Sequence, residues 1–438
     1  MTLLAKGGPD LDLTDKEIDE LFSEALSKAL GGLKSSAPVL ILPPDITRFH
    51  SRAGFLTDIA ARELGSRLGS VMPALGTHMP MTEDELRRMF PQTPEGLFRI
   101  HDWRNDIVTL GRIEGSWVEK ITEGKVRYDW PVQVNKLLLD GGFSMLLSLG
   151  QVVPHEVTGM ANHTKNIFVG TGGKEAIDKS HFAGASYGME KMMGRTDTPV
   201  RAILDEGFKR FGDKLPPVLF ALTVLSLRTN EEADKACKPR GSLAMRGLYI
   251  GFGRECFEKA AALAREVNVD ILDEPIKKAV VYLEPDEFRT TWLGNKAVYR
   301  TRMAMDDGGE LLILAPGLER FGEDGGVDQL IRKYGYRPGS VILKMAEEER
   351  ELAENLSAAA HLIHGSSEER FTVRYCPGPK VSRDEIESVG FEWGSLEEQS
   401  IRYDIEKLTL GWNTMGDNER IFYVPNPALG LWAGRKRF

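Results

Sequence analysis

Imidazole, ammonium and guanidinium groups recur in this chain where loops follow apolar runs. Arg48 ends the sequence Asp45-Ile46-Thr47-Arg48, His78 sits in Gly76-Thr77-His78-Met79-Pro80, and His155 lies in Gln151-Val152-Val153-Pro154-His155-Glu156-Val157-Thr158-Gly159. Lys165 and His181 follow on the same stretch. An imidazole gains and loses a proton near neutral pH, which suits general-base work. A guanidinium offers a carboxylate two parallel hydrogen bonds. Such groups could move protons on a substrate held by its carboxylate. Each residue also has a plainer reading. His155 could brace a neighbouring loop, His78 could close the turn before the next helix, and Asp45 and Thr47 suit turn chemistry after Pro43-Pro44. Lys165 could be a surface lysine and His181 a helix-end histidine.

The elements that must position these residues follow from periodicity. Thr14 with Glu17 forms a capping box, and Ile18, Leu21, Phe22, Ala25, Leu26 and Ala29 recur at helical spacing before Gly31-Gly32. Val39 to Leu42 is a short apolar run without alternation, as expected of a strand buried on both faces of a parallel sheet. A helix is predicted from Ala53 to Leu68, a strand from Val71 to Leu75, a capped helix after Thr82, and a buried strand over Phe143 to Leu149. In such sheets function collects in loops beyond the carboxyl ends of the strands. Asp45–Arg48, Gly76–His78 and Gln151–Gly159 all fall there. A second α/β pattern begins near residue 277. It has strands at Ala279–Leu283, Leu311–Leu314 and Phe371–Tyr375, a helix over Trp292–Met305 and a long helix over Ala346–His361. Asp270 to Pro275 reads as the hinge. The expected division is residues 1–272 as a cofactor-binding catalytic domain and 273–407 as a second α/β domain, both with largely parallel sheets.

Length and composition agree with two domains. The chain has 438 residues, 42% hydrophobic and 28% charged, with a net charge of −9. Acidic and basic residues are interspersed, so no nucleic-acid partner is expected. Cys237, Cys256 and Cys376 form no paired framework and suit buried thiols in a reducing cytoplasm. The N-terminus lacks a signal-peptide core and no apolar run is long enough to span a membrane, so a cytoplasmic location is expected. Gly170-Thr171-Gly172-Gly173-Lys174 fails as a phosphate loop, because Phe168 stands where the first glycine belongs and Glu175 follows the lysine. Gly251-Phe252-Gly253 has Cys256 in place of the third glycine of a dinucleotide fingerprint and follows no clear strand in the sequence. His361 and His364 have a zinc-like spacing without an evident third ligand and are expected at a surface or helix end.

Taken together, the Asp-Ile-Thr-Arg loop, the His78 loop and the His155–Lys165–His181 run resemble the lactate racemase family. The resemblance implies a nickel-pincer nucleotide (pyridinium-3,5-bisthiocarboxylic acid mononucleotide carrying nickel) attached covalently through Lys165, with His181 as metal ligand. It implies His78 and His155 as paired catalytic bases and Arg48 as the carboxylate anchor. Asp45 and Thr47 would then contact the cofactor or position Arg48. Lys296, in Trp292-Leu293-Gly294-Asn295-Lys296, resembles the family's second-domain lysine, and Trp292 stands beside it. The implied architecture is two α/β domains with the active site in the cleft between them and a C-terminal tail, about 408–438, completing the first. The implied reaction is racemisation or epimerisation of a 2-hydroxy acid by reversible transfer of the Cα hydride, with cofactor-synthesis proteins as partners. Where the family carries paired glycines, this chain has Met160-Ala161-Asn162-His163-Thr164. Asn162 and His163 are thus expected to reshape the pocket at the cofactor, and with Trp292 and His50 to favour a substrate larger or more polar than lactate. The competing readings are lactate racemase activity itself, an NAD-linked 2-hydroxy acid dehydrogenase, and a non-catalytic relative that binds the nickel cofactor.

Overall fold

A computed structural model describes residues 1–239 and 241–438. The chain forms two compact units, residues 1–183 with 192–268, and residues 184–191 with 269–438. The first unit holds a six-stranded sheet. Its strands are β1 (Thr2–Gly7), β2 (Val39–Leu42), β3 (Leu68–Val71), β4 (Met145–Gln151), β5 (Val218–Leu227) and β6 (Leu243–Gly251), in the order β1-β6-β5-β4-β2-β3. β3, β2, β4 and β5 run parallel, and β6 and β1 are antiparallel to their neighbours. Every residue of β2 and β4 is buried, which explains their continuous apolar sequences. Helix α1 (Asp15–Gly31) starts at the reciprocal Thr14–Glu17 capping box and buries Ile18, Phe22, Ala25, Leu26 and Ala29. That face packs in one core with α2 (Ala53–Leu64) and with Met145, Leu147 and Leu149 of β4. Cutting Phe22 to alanine there would cost roughly 3–5 kcal/mol.

Because β2, β3 and β4 are parallel, their carboxyl ends share one sheet edge. The loops that follow carry Asp45–Arg48, His78 and His155. After β4 the chain turns through a two-residue hairpin, Pro154–His155 paired with Gly159–Met160, into the short helix α3 (Thr164–Phe168). Helix α4 (Lys174–Tyr187) carries His181, and α5 (Pro199–Phe211) and α6 (Arg254–Asn268) complete the layer used below.

The second unit has its own six-stranded sheet. With β7 (Val269–Leu272) forming a separate pair, its strands are β8 (Ile276–Tyr282), β9 (Met305–Ala315), β10 (Thr372–Pro377), β11 (Glu392–Trp393), β12 (Gly411–Thr414) and β13 (Arg420–Val424). The order is β11-β10-β9-β8-β13-β12, parallel except for the β12–β13 pair.

Several expectations are corrected. The C-terminal tail joins the second unit: β13 pairs in parallel with β8, and β14 (Leu431–Gly434) pairs in parallel with β7. The first half of the expected hinge at Asp270–Pro275 is thus strand, and the division falls between Asn268 and Val269. Residues 184–191, beyond His181, also belong to the second unit. The predicted helix over Trp292–Met305 is two short helices, Thr291–Gly294 and Lys296–Thr301, broken at Asn295, with Met305 already opening β9. The predicted long helix over Ala346–His361 is interrupted where Glu349 is extended and Asn355 caps Leu356–His364. No helix among the described residues is long and apolar enough to cross a membrane.

Candidate active site

The β2 loop builds the first half of the site. Asp45 is buried, and its carboxylate accepts hydrogen bonds from the backbone N–H of Thr47 at 3.1 Å and from the Thr47 hydroxyl. The other oxygen, Oδ2, lies 2.6 Å from Nδ1 of His78. Burial alone would push the Asp45 carboxyl up. The charge and hydrogen bond of His78, the Thr47 hydroxyl and the nearby Arg48 guanidinium outweigh it and hold the group at about 2. An ionised carboxylate only accepts, so His78 donates through Nδ1 and a neutral ring keeps its lone pair on Nε2. The His78 side chain is 30% exposed, so Nε2 belongs to a ring that a substrate can reach. Asp45 is therefore the residue that sets the tautomer of His78.

The β4 loop builds the second half differently. His155 is buried, and its Nδ1 accepts the backbone N–H of Val157 at 3.1 Å across the tight hairpin. A neutral His155 then carries its proton on Nε2, which lies 3.6 Å from Oε1 of Glu156. The two histidines are set in opposite tautomers.

Lys165 sits in α3 between these halves. Its half-buried ammonium is pulled down to about 7 by desolvation first and then by Arg48 and Arg201, against the opposing charges of Glu156 and Asp45. His181 lies within the same field. Burial lowers its pKa, with Lys165 adding to the effect and the Ile177 carbonyl and Glu156 opposing it. Nδ1 of His181 is 2.7 Å from the Ile177 carbonyl oxygen. A carbonyl only accepts, so Nδ1 carries the hydrogen and the Nε2 lone pair is presented. A neutral imidazole nitrogen for a metal and an amine substantially deprotonated near neutral pH form a donor set that fits a covalently attached metal cofactor. No cluster of three or more His, Cys, Asp or Glu side chains with metal-holding geometry occurs among the described residues. A metal here would need ligands beyond the protein, as a pincer-type group supplies.

Asn162 and His163 prove to be inward-facing. Asn162 has φ 67° and His163 has φ 59° with ψ −131°. The second conformation is open essentially to glycine alone and costs of order 1–3 kcal/mol in another residue. Oδ1 of Asn162 accepts the His163 backbone N–H at 2.7 Å, and its side chain lies so close to Gly150 that a Cβ there would come within 2.5 Å of Nδ2. The His163 ring is 3% exposed and packed against Phe220 and Phe257, with centroids 4.2 and 5.2 Å away. The ring packs among aromatic side chains, and both of its nitrogens are buried without a hydrogen bond.

Trp292 and Lys296 lie in the second unit. Trp292 stacks on His361 at 4.5 Å, and His361 Nε2 shares a 2.8 Å hydrogen bond with Tyr336, which in turn meets the Thr291 hydroxyl at 2.8 Å. The Lys296 ammonium is 5.3 Å from the Phe288 ring. His361 and His364 lie in the last turn of the helix Leu356–His364, at a helix end as expected, but are buried. Gly251-Phe252-Gly253 does follow a strand, β6, and opens α6, contrary to the sequence reading. However, β6 is antiparallel to both neighbours, so the βαβ context of a dinucleotide site is not met. Glu156 and Arg201 were not singled out from the sequence. A carboxylate directly after a loop histidine was the available sign for Glu156. Nothing local marks Arg201.

The parallel sheet and the loops at its strand ends define an α/β protein with Asp45, His78 and His155 gathered at the carboxyl edge of the sheet. Residues 14–193 match the family described as the lactate racemase N-terminal domain. The fold is similar to that of a protein from Thermotoga maritima, with a TM-score of 0.79, 23% identity, and coverage of 98% of this chain and 100% of that one. It is also similar to the lactate racemase apoprotein from Thermoanaerobacterium thermosaccharolyticum, with a TM-score of 0.68, 15% identity, and coverage of 98% and 94%. At these identities the likeness is one of fold. No curated protein matches the chain.

Proposed function

We propose that this protein is a racemase or epimerase of a 2-hydroxy acid that uses a nickel-pincer nucleotide attached through Lys165. The observation that carries the reading is the cluster of a depressed lysine, a metal-ready His181 and an Asp45-oriented His78 at the ends of three parallel strands. When bound, the cofactor would supply a reversible hydride acceptor for Cα. The protein supplies everything else. Arg48 binds the substrate carboxylate through its guanidinium fork. Nε2 of His78 takes the hydroxyl proton of one enantiomer, and Asp45 stabilises the imidazolium that results. His155 serves the other enantiomer and must exchange its Val157 contact to present a lone pair. His181 holds the metal through Nε2. We further propose that the substrate exceeds lactate in size or polarity, on the strength of His50 in the Arg48 loop. The antiparallel setting of Gly251–Gly253 weighs against an NAD-linked dehydrogenase.

The test is expression in a host that makes the cofactor, followed by intact mass, nickel content and chiral analysis of a 2-hydroxy acid panel. The expected result is a nucleotide-sized adduct on Lys165 that Lys165→Ala lacks, with racemisation of at least one acid faster than of lactate. An adduct on a different lysine overturns the attachment. An adduct without any racemisation supports instead a relative that only binds the cofactor.

A further inference from the structure

We infer that Arg201 is a positioning residue for Lys165: its guanidinium holds the Met160–Thr164 segment in the glycine-like path that delivers the lysine to the site. The inference rests on the reading of Lys165 as the attachment residue. Arg201 lies on α5 and is completely buried. Nη1 donates to the Asn162 carbonyl at 3.1 Å and to the Thr164 hydroxyl at 3.0 Å, and Nη2 donates to the Met160 carbonyl. The guanidinium carbon sits 4.6 Å from the centre of the Phe257 ring, one of the two rings that pack on His163. Its link to a carboxylate is indirect, through Thr164, whose hydroxyl donates to Asp205 at 2.6 Å. Nε makes no hydrogen bond. A buried cation without a direct counter-ion is expensive, and apolar side chains of similar volume usually serve a core better. The hydrogen bonds this cation does make all go to one five-residue segment. That segment contains Asn162 and His163, both at positive φ, and ends one residue before Lys165.

The alternative is that Arg201 merely stabilises the core. The two differ in what happens to Lys165 when the protein stays folded. Trace acetylation of the cofactor-free protein with acetic anhydride at fixed pH, mapped by peptide mass, gives the reactivity of Lys165 relative to Lys16, whose side chain is 85% exposed. Arg201→Met and Arg201→Lys should each change that ratio at least about fivefold, the size of a contact-level coupling. Adding His163→Gly to Arg201→Met should bring it back to within about twofold, because glycine holds φ 59°, ψ −131° without a clamp. Folded single variants with an unchanged ratio overturn the inference, as does a changed ratio that the glycine does not restore. Should the single variants fail to fold, a folded double variant with the wild-type ratio supports it. A double variant that also fails to fold makes Arg201 a core residue and overturns it. None of these outcomes depends on cofactor chemistry, so an adduct found on another lysine defeats the proposed function without altering this result.

Discussion

His78 and His155 hang from the same sheet edge yet are built in opposite ways. His78 is partly exposed, and a carboxylate thirty-three residues away in sequence fixes its tautomer at 2.6 Å. His155 is buried, and the backbone two residues on fixes the reverse tautomer. One ring is set to accept a proton at Nε2 and the other to hold one there. The comparison teaches that a pair of histidines read from spacing as equivalent bases can be prepared for different halves of one reaction.

The largest expected effect is that of His78→Ala. Loss of a positioned base should lower kcat by about 10²- to 10⁴-fold while leaving nickel content unchanged. The sharper contrast is His155→Asn. The asparagine carbonyl oxygen can still accept the Val157 N–H, so the hairpin survives while the titratable ring is gone. If His155 is the second base, kcat falls within the same range as for His78→Ala. If it only braces the hairpin, His155→Asn racemises nearly as well as wild type, and the comparison reduces to one base and one strut. Steady-state rates from each enantiomer with matched nickel analysis separate these outcomes.

Asp45→Asn probes what the carboxylate adds to His78, and a smaller loss, about 10- to 100-fold, is expected. It carries a stability signature as well. The folded pKa of Asp45 is about 2, below the unfolded value near 3.8. Its contribution is therefore fully present above about pH 4 and is lost as pH falls towards 2, on the order of 2 kcal/mol in all. Acid unfolding of Asp45→Asn should be flatter than wild type in that window. Identical acid limbs would mean that Asp45 is not held as the structure implies.

Much of this arrangement was legible in the sequence. The unalternating apolar runs at Val39–Leu42 and before His155 announced buried parallel strands, and parallel strands put their following loops on one edge. Resemblance to a known family then singled out Asp45, Arg48, His78, Lys165 and His181, for each of which residue type alone left a plainer reading open. What escaped was set by contacts distant in sequence. The Asp45–His78 pair has no local signal, nor do the ladders that draw β13 and β14 into the second unit. The packing of His163 between two phenylalanines from β5 and α6 has no local signal either. Asn295 and Glu349 broke predicted helices at residues that carry no strong breaker chemistry.

The smallest expected effect belongs to the His155 side of the comparison, where the chain continues into His163. His163→Gly removes two opposed contributions. It relieves a backbone conformation worth about 1–3 kcal/mol of strain. It also forfeits packing on Phe220 and Phe257, worth about 0.5–1.5 kcal/mol per aromatic pair beyond area burial. Near pH 8 the relieved strain offsets the loss only in part, because deleting the buried ring also forfeits its area burial and leaves a cavity, and the variant should be less stable than wild type by roughly 1–3 kcal/mol. Acidification separates them. Burial, with Arg201 and Arg254 adding to it, holds the folded imidazole well below its ordinary 6.5. The unfolded chain therefore takes up a proton at His163 as pH falls through 6.5 while the folded chain does not. Wild type should lose about 1.4 kcal/mol per pH unit from this group below that point, and the glycine variant should not. Urea melts at pH 8, 6.5 and 5 give the difference directly. A stability gap between wild type and His163→Gly that is constant across those three values would show that His163 takes up a proton within the fold, and the enclosed aromatic stack would be the wrong description of this residue.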